Sequence, residues 1–254
     1  FGIIEPAVGM LACKDVGSGK LPEPETLLDC IAMELAREKD MAGLHVTVTA
    51  GPTQEALDPV RYLTNHSTGR MGYAIAREAM LRGADVTLIS GPTALKPVPG
   101  VKTVDVVSAK DMFEAVQAAL PETDILVKAA AVADYRPVSI AEDKIKKQDG
   151  DMAIPLERTD DILGWVAEHR HPGLFVCGFS METRDMIENS RKKLDRKHLD
   201  MIAANNLKVA GAGFGVDTNV VTILTADGIQ ELPLMSKDQV AAKLLDAILE
   251  RRSK

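Results

Sequence analysis

Cysteine is scarce in this chain, with three among 254 residues, and no CxxC or Cys/His spacing suited to zinc occurs. This scarcity excludes a disulfide framework and fits a reducing compartment. Apolar runs are short as well, because none approaches the roughly 20 residues of a membrane-spanning helix. The opening stretch FGIIEPAVGMLAC lacks the basic segment and continuous apolar core of a signal peptide. We therefore expect a cytoplasmic protein with no membrane partner.

Positive charge is not in excess either. The formal net charge is −7, from 30 Lys and Arg against 37 Asp and Glu. The basic residues are dispersed except in two clusters, EDKIKKQ and SRKKLDRKHLD, so a general nucleic-acid surface is excluded. Both standard nucleotide fingerprints, GxGxxG and GxxxxGK followed by Ser or Thr, are also missing.

What the chain does contain is an alternation of β-branched runs and amphipathic helical stretches from Leu44 onward. This alternation predicts six parallel strands with helices packed against them. The later run NVVTILTADGIQELPL has an Asp-Gly turn between two strand-like segments, which predicts an antiparallel hairpin. The predicted fold is α/β, a Rossmann-like doubly wound and mainly parallel sheet with an added antiparallel hairpin. A final helix is predicted from Lys237 to Arg251.

Two segments do not follow this alternation. Residues 1–43 are predicted to form a Gly/Pro linker and one helix, so we place a domain boundary there and a single domain over residues 44–254. Residues 134–158 contain Pro137, a lysine patch and a glycine in QDGD, and we expect them to form a long mobile loop that acts as a lid.

Ligands of open parallel sheets bind beyond the carboxyl ends of the strands. The loops that follow predicted strands are residues 51–69, 131–150, 178–183 and 204–219, and all four are rich in small or polar residues. We therefore expect the functional site among these loops.

The loop TNHSTGRMG leads into a predicted helix, whose N-terminus favours an anion. Ser67, Thr68, Gly69 and Gly72 would let phosphate oxygens approach the backbone. Asn65 either caps this helix or contacts a ligand, and its spacing leaves both interpretations open. We expect His66 to be a hydrogen-bonding loop residue rather than a catalyst.

The run AAAVADYRP and the lysines after it also allow a functional and a structural interpretation. Asp134 either binds Mg²⁺ beside a phosphate or caps a turn. The alanines before it, 129–131, either admit a flat ligand or pack against a helix. Lys144, Lys146 and Lys147 are either solvated or close on a polyphosphate.

Two later motifs also allow both a functional and a structural interpretation. Lys193 and Lys197 lie four positions apart on one predicted helix face, where they reach the same anion or face water. Phe179 ends a predicted strand and is either a wall for a nucleotide base or a core residue.

Taken together, the motifs TNHSTGRMG, AAVADYRP, KIKKQ, GFSMET and AANN occur in the order and approximate spacing of phosphopantothenoylcysteine synthetase. The chain resembles, from about Gly9 to its end, the synthetase half of the bacterial bifunctional decarboxylase/synthetase of coenzyme A biosynthesis. The resemblance implies a ligase that uses CTP to activate 4′-phosphopantothenate as an acyl-cytidylate, with release of pyrophosphate. L-Cysteine then displaces CMP to form the amide.

The resemblance also implies a role for individual residues. Asn65 matches the asparagine that holds the acyl-cytidylate for its reaction with cysteine, and Lys144 matches the lysine that assists formation of the intermediate. Asp134 matches a contact to the nucleotide and to Mg²⁺. The remaining positions implied to bind CTP are Ser67, Ala130, Asp161, Ile162, Leu163, Phe179, Lys193 and Lys197. Asp160 stands where the family has proline, which puts contacts from this position in doubt.

The family also implies a homodimer, and the hairpin near residues 220–234 is a candidate interface. The N-terminal stretch MLACKDVGSGKL resembles the flap that ends the decarboxylase half, usually close to ACGDxGxGRM, with Lys14 and Lys20 in place of a glycine and an arginine. Cys13 matches the decarboxylase cysteine that protonates the product. We expect this chain to be a fragment of a longer, more highly oligomeric protein that uses FMN, and to have no decarboxylase activity itself.

Two other classes of function are compatible with the predicted fold. An NAD(P)-dependent reductase would share the doubly wound sheet, but the glycine fingerprint is missing and Tyr135 is followed four positions later by Ser139 rather than lysine. A non-catalytic nucleotide-binding subunit is the second alternative. The presence of Asn65, Asp134 and Lys144 together argues against it.

Overall fold

The computed structural model describes residues 3–35, 37–147, 150–182, 185–206, 213 and 215–253. The strands in chain order are β1 (Ala7–Met10), β2 (Val16–Lys20), β3 (His45–Ala50), β4 (Gln54–Ala56), β5 (Tyr62–Thr64), β6 (Asp85–Ser90), β7 (Lys102–Asp105), β8 (Ile125–Lys128), β9 (Tyr135–Pro137), β10 (Leu156–Arg158), β11 (Phe175–Glu182), β12 (Met201–Asn206), β13 (Thr218–Asn219), β14 (Val221–Leu224), β15 (Ile229–Glu231) and β16 (Met235–Ser236). The helices are α1 (Pro24–Leu35), α2 (Arg70–Leu81), α3 (Ala109–Ala119), α4 (Ile162–Glu168), α5 (Met186–Arg196) and α6 (Lys237–Arg252), with a 3₁₀ turn at Leu120–Glu122. In the described part of the chain, no helix has the length and apolar character needed to cross a membrane.

The main sheet has eight strands in the order β15-β14-β12-β11-β8-β3-β6-β7. The six strands from β12 to β7 pair in parallel, whereas β14 and β15 add antiparallel at one edge. The predicted α/β fold, with six parallel strands and an added hairpin, is therefore confirmed. Chain direction across the sheet reverses between β3 and β8, which is the topological switch point where doubly wound sheets bind ligands.

Helices cover both faces of this sheet because the strand residues alternate in direction. On one face, Val46 and Val48 of β3 pack with buried residues of α2 and α6. On the other face, Leu126 of β8 and Val176 of β11 pack with buried residues of α3, α4 and α5. Both faces of the central parallel strands are therefore largely buried, and charged side chains collect at the strand ends.

Three predicted loops contain short antiparallel hairpins. β4 and β5 lie within the 51–69 loop, β9 and β10 lie within residues 134–158, and β1 and β2 replace the predicted Gly/Pro linker. These strands lack a hydrophobic alternation because much of their surface faces solvent; all three residues of β10, for example, are exposed. The prediction of a long irregular loop over 134–158 was therefore wrong at both of its ends.

The segment before β3 contacts the main domain. Met41 is fully buried in the core, and the guanidinium of Arg82, the C-cap residue of α2, pairs with both Asp40 and Asp246. The domain boundary at residue 43 stays a prediction, but the residues just before it pack with the helices that cover the sheet.

Candidate active site

The loops after β3 and β8 meet at the switch point. The Ala131 amide donates to the Gly51 carbonyl at 2.9 Å, and the Thr53 amide donates to the Ala131 carbonyl at 3.3 Å. The sequence predicts that this strand ends near Ala131, where the following loop begins, but β8 ends at Lys128. Alanines 129–131 after it line a cavity.

Asn65 belongs to this junction and does not cap α2. Its side-chain amide donates to the Ala131 carbonyl at 2.9 Å, although the rest of the residue is exposed. The N-cap of α2 is Gly69, which has a left-handed backbone (φ 79°) and no side-chain cap bond. The capping interpretation of Asn65 was therefore wrong, and the structure fixes its side chain beside the end of β8.

The first cavity lies at the N-terminus of α2 and has a volume of about 120 Å³. Ser67, Gly69, Ala130 and Phe179 are among the residues that line it. The Ser67 hydroxyl accepts from the Gly69 amide at 3.3 Å. Because backbone amides at a helix N-terminus attract anions, this small cavity suits an anionic group held close to the backbone.

The second cavity is larger, about 570 Å³, and is lined by Lys128 and residues 132–134, which flank the alanines in the chain. Six of the predicted nucleotide-binding residues line it, namely Asp134, Asp161, Ile162, Leu163, Lys193 and Lys197. They come from the β8–β9 loop, the start of α4 and the end of α5, so the tertiary fold brings together segments that are far apart in sequence. A cavity of this size accommodates a small organic ligand.

Asp161 organises one wall of the second cavity. Its carboxylate caps α4 by accepting from the Gly164 amide at 3.0 Å, and it forms an ion pair with the Lys197 ammonium. Burial acts to raise the pKa of Asp161, but the hydrogen bonds from Lys197 and Gly164 outweigh it and hold the pKa below its usual range. On the facing helix, Lys193 donates to the Phe179 carbonyl at 2.7 Å.

Several cationic residues of this cavity were not singled out from the sequence. Lys128, Arg158 and Arg196 line it together with the two predicted lysines. Burial lowers the pKa of Lys128 to about 8, and the neighbouring Lys193 acts in the same direction. The signal available in the sequence was a lone lysine that ends the apolar run DILVK, directly before the alanines.

Lys144 is not in either cavity. It is exposed, and its segment is held against the β4–β5 hairpin: the Ile145 amide donates to Asp58 at 3.1 Å, and Arg61 donates to the Ile145 carbonyl at 2.9 Å. The Ala141 amide also donates to the Leu57 carbonyl at 3.0 Å. The segment predicted to be a lid is thus anchored in its middle. Lys144 does not line the cavity that contains most of the predicted nucleotide-binding residues.

Cys13 lies far along the chain from these cavities, in the turn between β1 and β2, and is exposed. The next residue, Lys14, has a left-handed backbone with φ 69°. This conformation costs a residue with a side chain more than it costs glycine, which explains why the flap pattern has glycine here. The structure shows an exposed thiol on a hairpin.

These features define an α/β protein with two cavities at the topological switch point of its sheet, one beside the N-terminus of α2 and one lined by an excess of basic side chains. Residues 41–251 match the family model described as the DNA/pantothenate metabolism flavoprotein C-terminal domain. The chain belongs to this family, and the resemblance drawn from the sequence motifs is confirmed.

The relatives share much of the sequence. The chain is 49% identical over 252 residues to the coenzyme A biosynthesis bifunctional protein CoaBC of Bacillus subtilis (strain 168), covering 98% of this chain and 62% of that protein. The protein of the same name from Escherichia coli (strain K12) is 43% identical over 249 residues, covering 97% of this chain and 61% of that protein. The chain thus spans about three fifths of the length of the curated relatives it matches.

Solved structures agree with this assignment. A crystal structure of the C-terminal domain of coenzyme A biosynthesis bifunctional protein CoaBC is 43% identical, with a TM-score of 0.70 over 82% of this chain and 95% of that one. A Cab2 variant in complex with phosphopantothenate-cysteine is 16% identical, with a TM-score of 0.70 over 91% of this chain and 95% of that one. At this level of identity the second likeness shows the fold alone.

Proposed function

We propose that this chain is a CTP-dependent phosphopantothenate–cysteine ligase. The observation that carries the proposal is the pair of adjoining cavities at the switch point, one beside the N-terminus of α2 and one lined by five basic side chains. Two neighbouring anion sites suit a reaction that joins a phosphorylated acid to a nucleotide. The membership of the family and the relatives' role in coenzyme A biosynthesis support the same assignment.

The larger cavity is the proposed CTP site. Lys193 and Lys197 provide positive charge for the triphosphate, and Asp161 holds Lys197 in place. Ile162 and Leu163 form an apolar wall at the start of α4. Ser67, Ala130 and Phe179 line the smaller cavity beside it, where we place the junction between the α-phosphate and the acyl group.

Mg²⁺ fits this arrangement through Asp134. Magnesium is usually held by one or two carboxylates together with substrate phosphates, rather than by a cage of protein ligands. Asp134 lines the larger cavity, and in the described part of the chain no group of three or more His, Cys, Asp or Glu forms a separate metal site. When bound, the metal would neutralise charge on the triphosphate.

The proposed chemistry has two steps. A carboxylate oxygen of 4′-phosphopantothenate attacks the α-phosphorus of CTP, the bond to the bridging oxygen breaks, and pyrophosphate leaves with the electron pair. The amine of L-cysteine then attacks the acyl carbon, CMP leaves, and the nitrogen loses a proton to give the amide. Activation is needed because a free carboxylate is a poor electrophile.

Asn65 and Lys144 have separate roles in this proposal. Asn65, fixed to the end of β8 through Ala131, holds the acyl-cytidylate for attack by cysteine. Lys144 assists its formation by stabilising charge on the triphosphate. Because Lys144 lies outside both cavities, its segment must move toward the nucleotide, or Lys144 must act on the site of a second copy.

We also propose that the chain forms a homodimer. β15 is an edge strand of the main sheet and all of its residues are exposed, which makes the β14–β15 hairpin a candidate contact. We also propose that FMN and decarboxylation, with Cys13 in the flap, belong only to longer relatives, and that the protein acts in the cytoplasm.

The proposal is tested by pyrophosphate release from CTP with 4′-phosphopantothenate and Mg²⁺, with and without L-cysteine, using ATP as the nucleotide control. We expect release that depends on phosphopantothenate, prefers CTP and turns over repeatedly only with cysteine. Pyrophosphate release that is independent of phosphopantothenate would contradict the proposal, as would tight nicotinamide binding with no effect of CTP.

Two variants separate the steps. Lys144→Gln should abolish acyl-cytidylate formation and leave the fold intact, whereas Lys146→Gln, an exposed lysine in the same segment, should keep near-normal rates. Asn65→Asp should slow amide formation more than pyrophosphate release in a single turnover. Normal release by Lys144→Gln, or equal loss of both steps in Asn65→Asp, would remove the corresponding assignment.

A further inference from the structure

Lys128 is the last residue of β8 and opens into the larger cavity. In the sheet it lies beside Thr49 of β3 and Gly178 of β11, and neither neighbour has a carboxylate to pair with it. The side chain is partly buried. No hydrogen bond or ion pair joins its ammonium group to any residue within the described ranges.

Charged groups from several elements line the cavity together with Lys128. They are the cations Arg158, Lys193, Arg196 and Lys197 and the carboxylates Asp134, Asp160 and Asp161. With Lys128 the cavity has five basic and three acidic side chains, which is a surplus of positive charge. Such a surplus in a cavity of small-molecule size suits a ligand with several negative charges.

The other two lysines of the cavity are already engaged. Lys197 pairs with Asp161, and Lys193 donates to the Phe179 carbonyl. Lys128 differs from them because no protein acceptor in the described part of the chain holds its ammonium group, which leaves all three of its N–H donors for a ligand. It directly precedes alanines 129–131, which line the smaller cavity, so it lies where the chain passes from one cavity to the other.

We propose that Lys128 binds a phosphate oxygen of the nucleotide and takes up a proton as the nucleotide binds. The inference rests on the proposed function and adds a residue and a proton to its first step. In the free protein, burial and the neighbouring cations leave the Lys128 amine partly neutral near its pKa of about 8. A phosphate beside it favours the charged form, so the bound state holds more protons.

The sign of the pH dependence follows from this. Below about pH 7, Lys128 is charged in both the free and the bound state, so its own contribution to nucleotide affinity should be independent of pH there. As the pH rises through about 8, the free amine loses its proton and binding must restore it, so the affinity should fall. The second ionisation of a phosphate has a pKa of about 6 and does not contribute in this range.

The test is calorimetric titration of the wild-type chain with CTP and Mg²⁺ at pH 8, in buffers with different enthalpies of ionisation. Wild type should take up about half a proton per CTP bound, because a group with a pKa near 8 is half protonated there. Lys128→Met should take up almost none and bind about tenfold more weakly, the loss expected for one charge-assisted hydrogen bond.

Lys128→Arg separates binding from a structural role. Arginine stays charged at every accessible pH, so this variant should bind CTP well and take up no proton. Lys110→Met, which removes an exposed lysine of α3, is the matched control and should match wild type in both affinity and proton uptake.

Two outcomes would overturn the inference and are distinguishable. If wild type binds CTP without proton uptake, or if Lys128→Met takes up the same fraction of a proton as wild type, Lys128 does not take up a proton on nucleotide binding. The proposed function would be unaffected by either result. If wild type does not bind CTP at all, the proposed function fails, and the inference fails with it.

Discussion

Gly72 in the first turn of α2 lets this helix approach the end of β3, and its replacement by alanine should damage both stability and the site. A Cβ at position 72 would lie 2.5 Å from the Cβ of Ala50 and 3.1 Å from the carbonyl oxygen of Thr49. Carbon atoms in contact prefer about 3.5–4.0 Å, so α2 or β3 must move by about 1 Å.

The size of the effect is set by two opposing contributions. Overpacking of this kind costs about 1–3 kcal/mol, and replacing glycine in a helix returns up to about 1 kcal/mol. The expected net loss of about 1–2 kcal/mol lowers the Tm by about 2–8 °C in a domain of this size. Because α2 begins beside Ser67 and Gly69, the same shift should also weaken substrate binding in the first cavity.

Thermal unfolding of Gly72→Ala and the ligase assay would check this prediction. Gly228→Ala is the matched control, since a Cβ there meets nothing within 4 Å and its effect should stay within about 0.5 kcal/mol. An unchanged or higher Tm for Gly72→Ala would refute the argument that the helix needs a glycine to approach the strand.

Two further predictions concern the anchored segment and the thiols. The Arg61 guanidinium and three backbone amides hold the pKa of Asp58 well below its usual range, so the stability that this carboxylate contributes by anchoring Ile145 should be complete above about pH 4 and be lost as the pH falls toward the lowered pKa. Asp58→Asn should therefore speed amide hydrogen exchange of residues 141–147 at neutral pH, and unchanged exchange would contradict this. In thiol labelling of the folded protein, exposed Cys13 should react first and partly exposed Cys30 more slowly. Cys177 is buried and its pKa is raised, so it should react only on unfolding. Labelling of Cys177 before unfolding would contradict this order.

The parallel strands and the main helices could be predicted because their signals are local. The run HVTVTA over residues 45–50 is buried along almost its whole length, as a central strand of a parallel sheet must be. Ser236 and Gln239 form a capping box that starts α6. A serine followed three residues later by glutamine is a sequence motif that indicates a helix N-terminus. The short hairpins were missed because exposed strands have no hydrophobic period to detect.

The site was predictable as a set of residues but not as an arrangement. The motifs identified Asp134, Asp161, Lys193 and Lys197, and the structure places all four around one cavity. They gave no sign that Asn65 contacts a carbonyl 66 positions away, or that Asp58 holds the amide of a residue 87 positions away. Such contacts depend on how the loops cross at the strand ends, which no local pattern records.

By itself, the sequence determined the class of fold, the alternation of strands and helices and the family, because each depends on periodicity or on residue types at short spacing. Only the tertiary structure decided that the loops after β3 and β8 meet, and that Lys144 lies apart from the nucleotide residues. It alone also showed that Lys128 is partly buried among other cations. The physical reason is that electrostatic environment and long-range contact depend on distance in space, and the chain sets that distance only after it has folded.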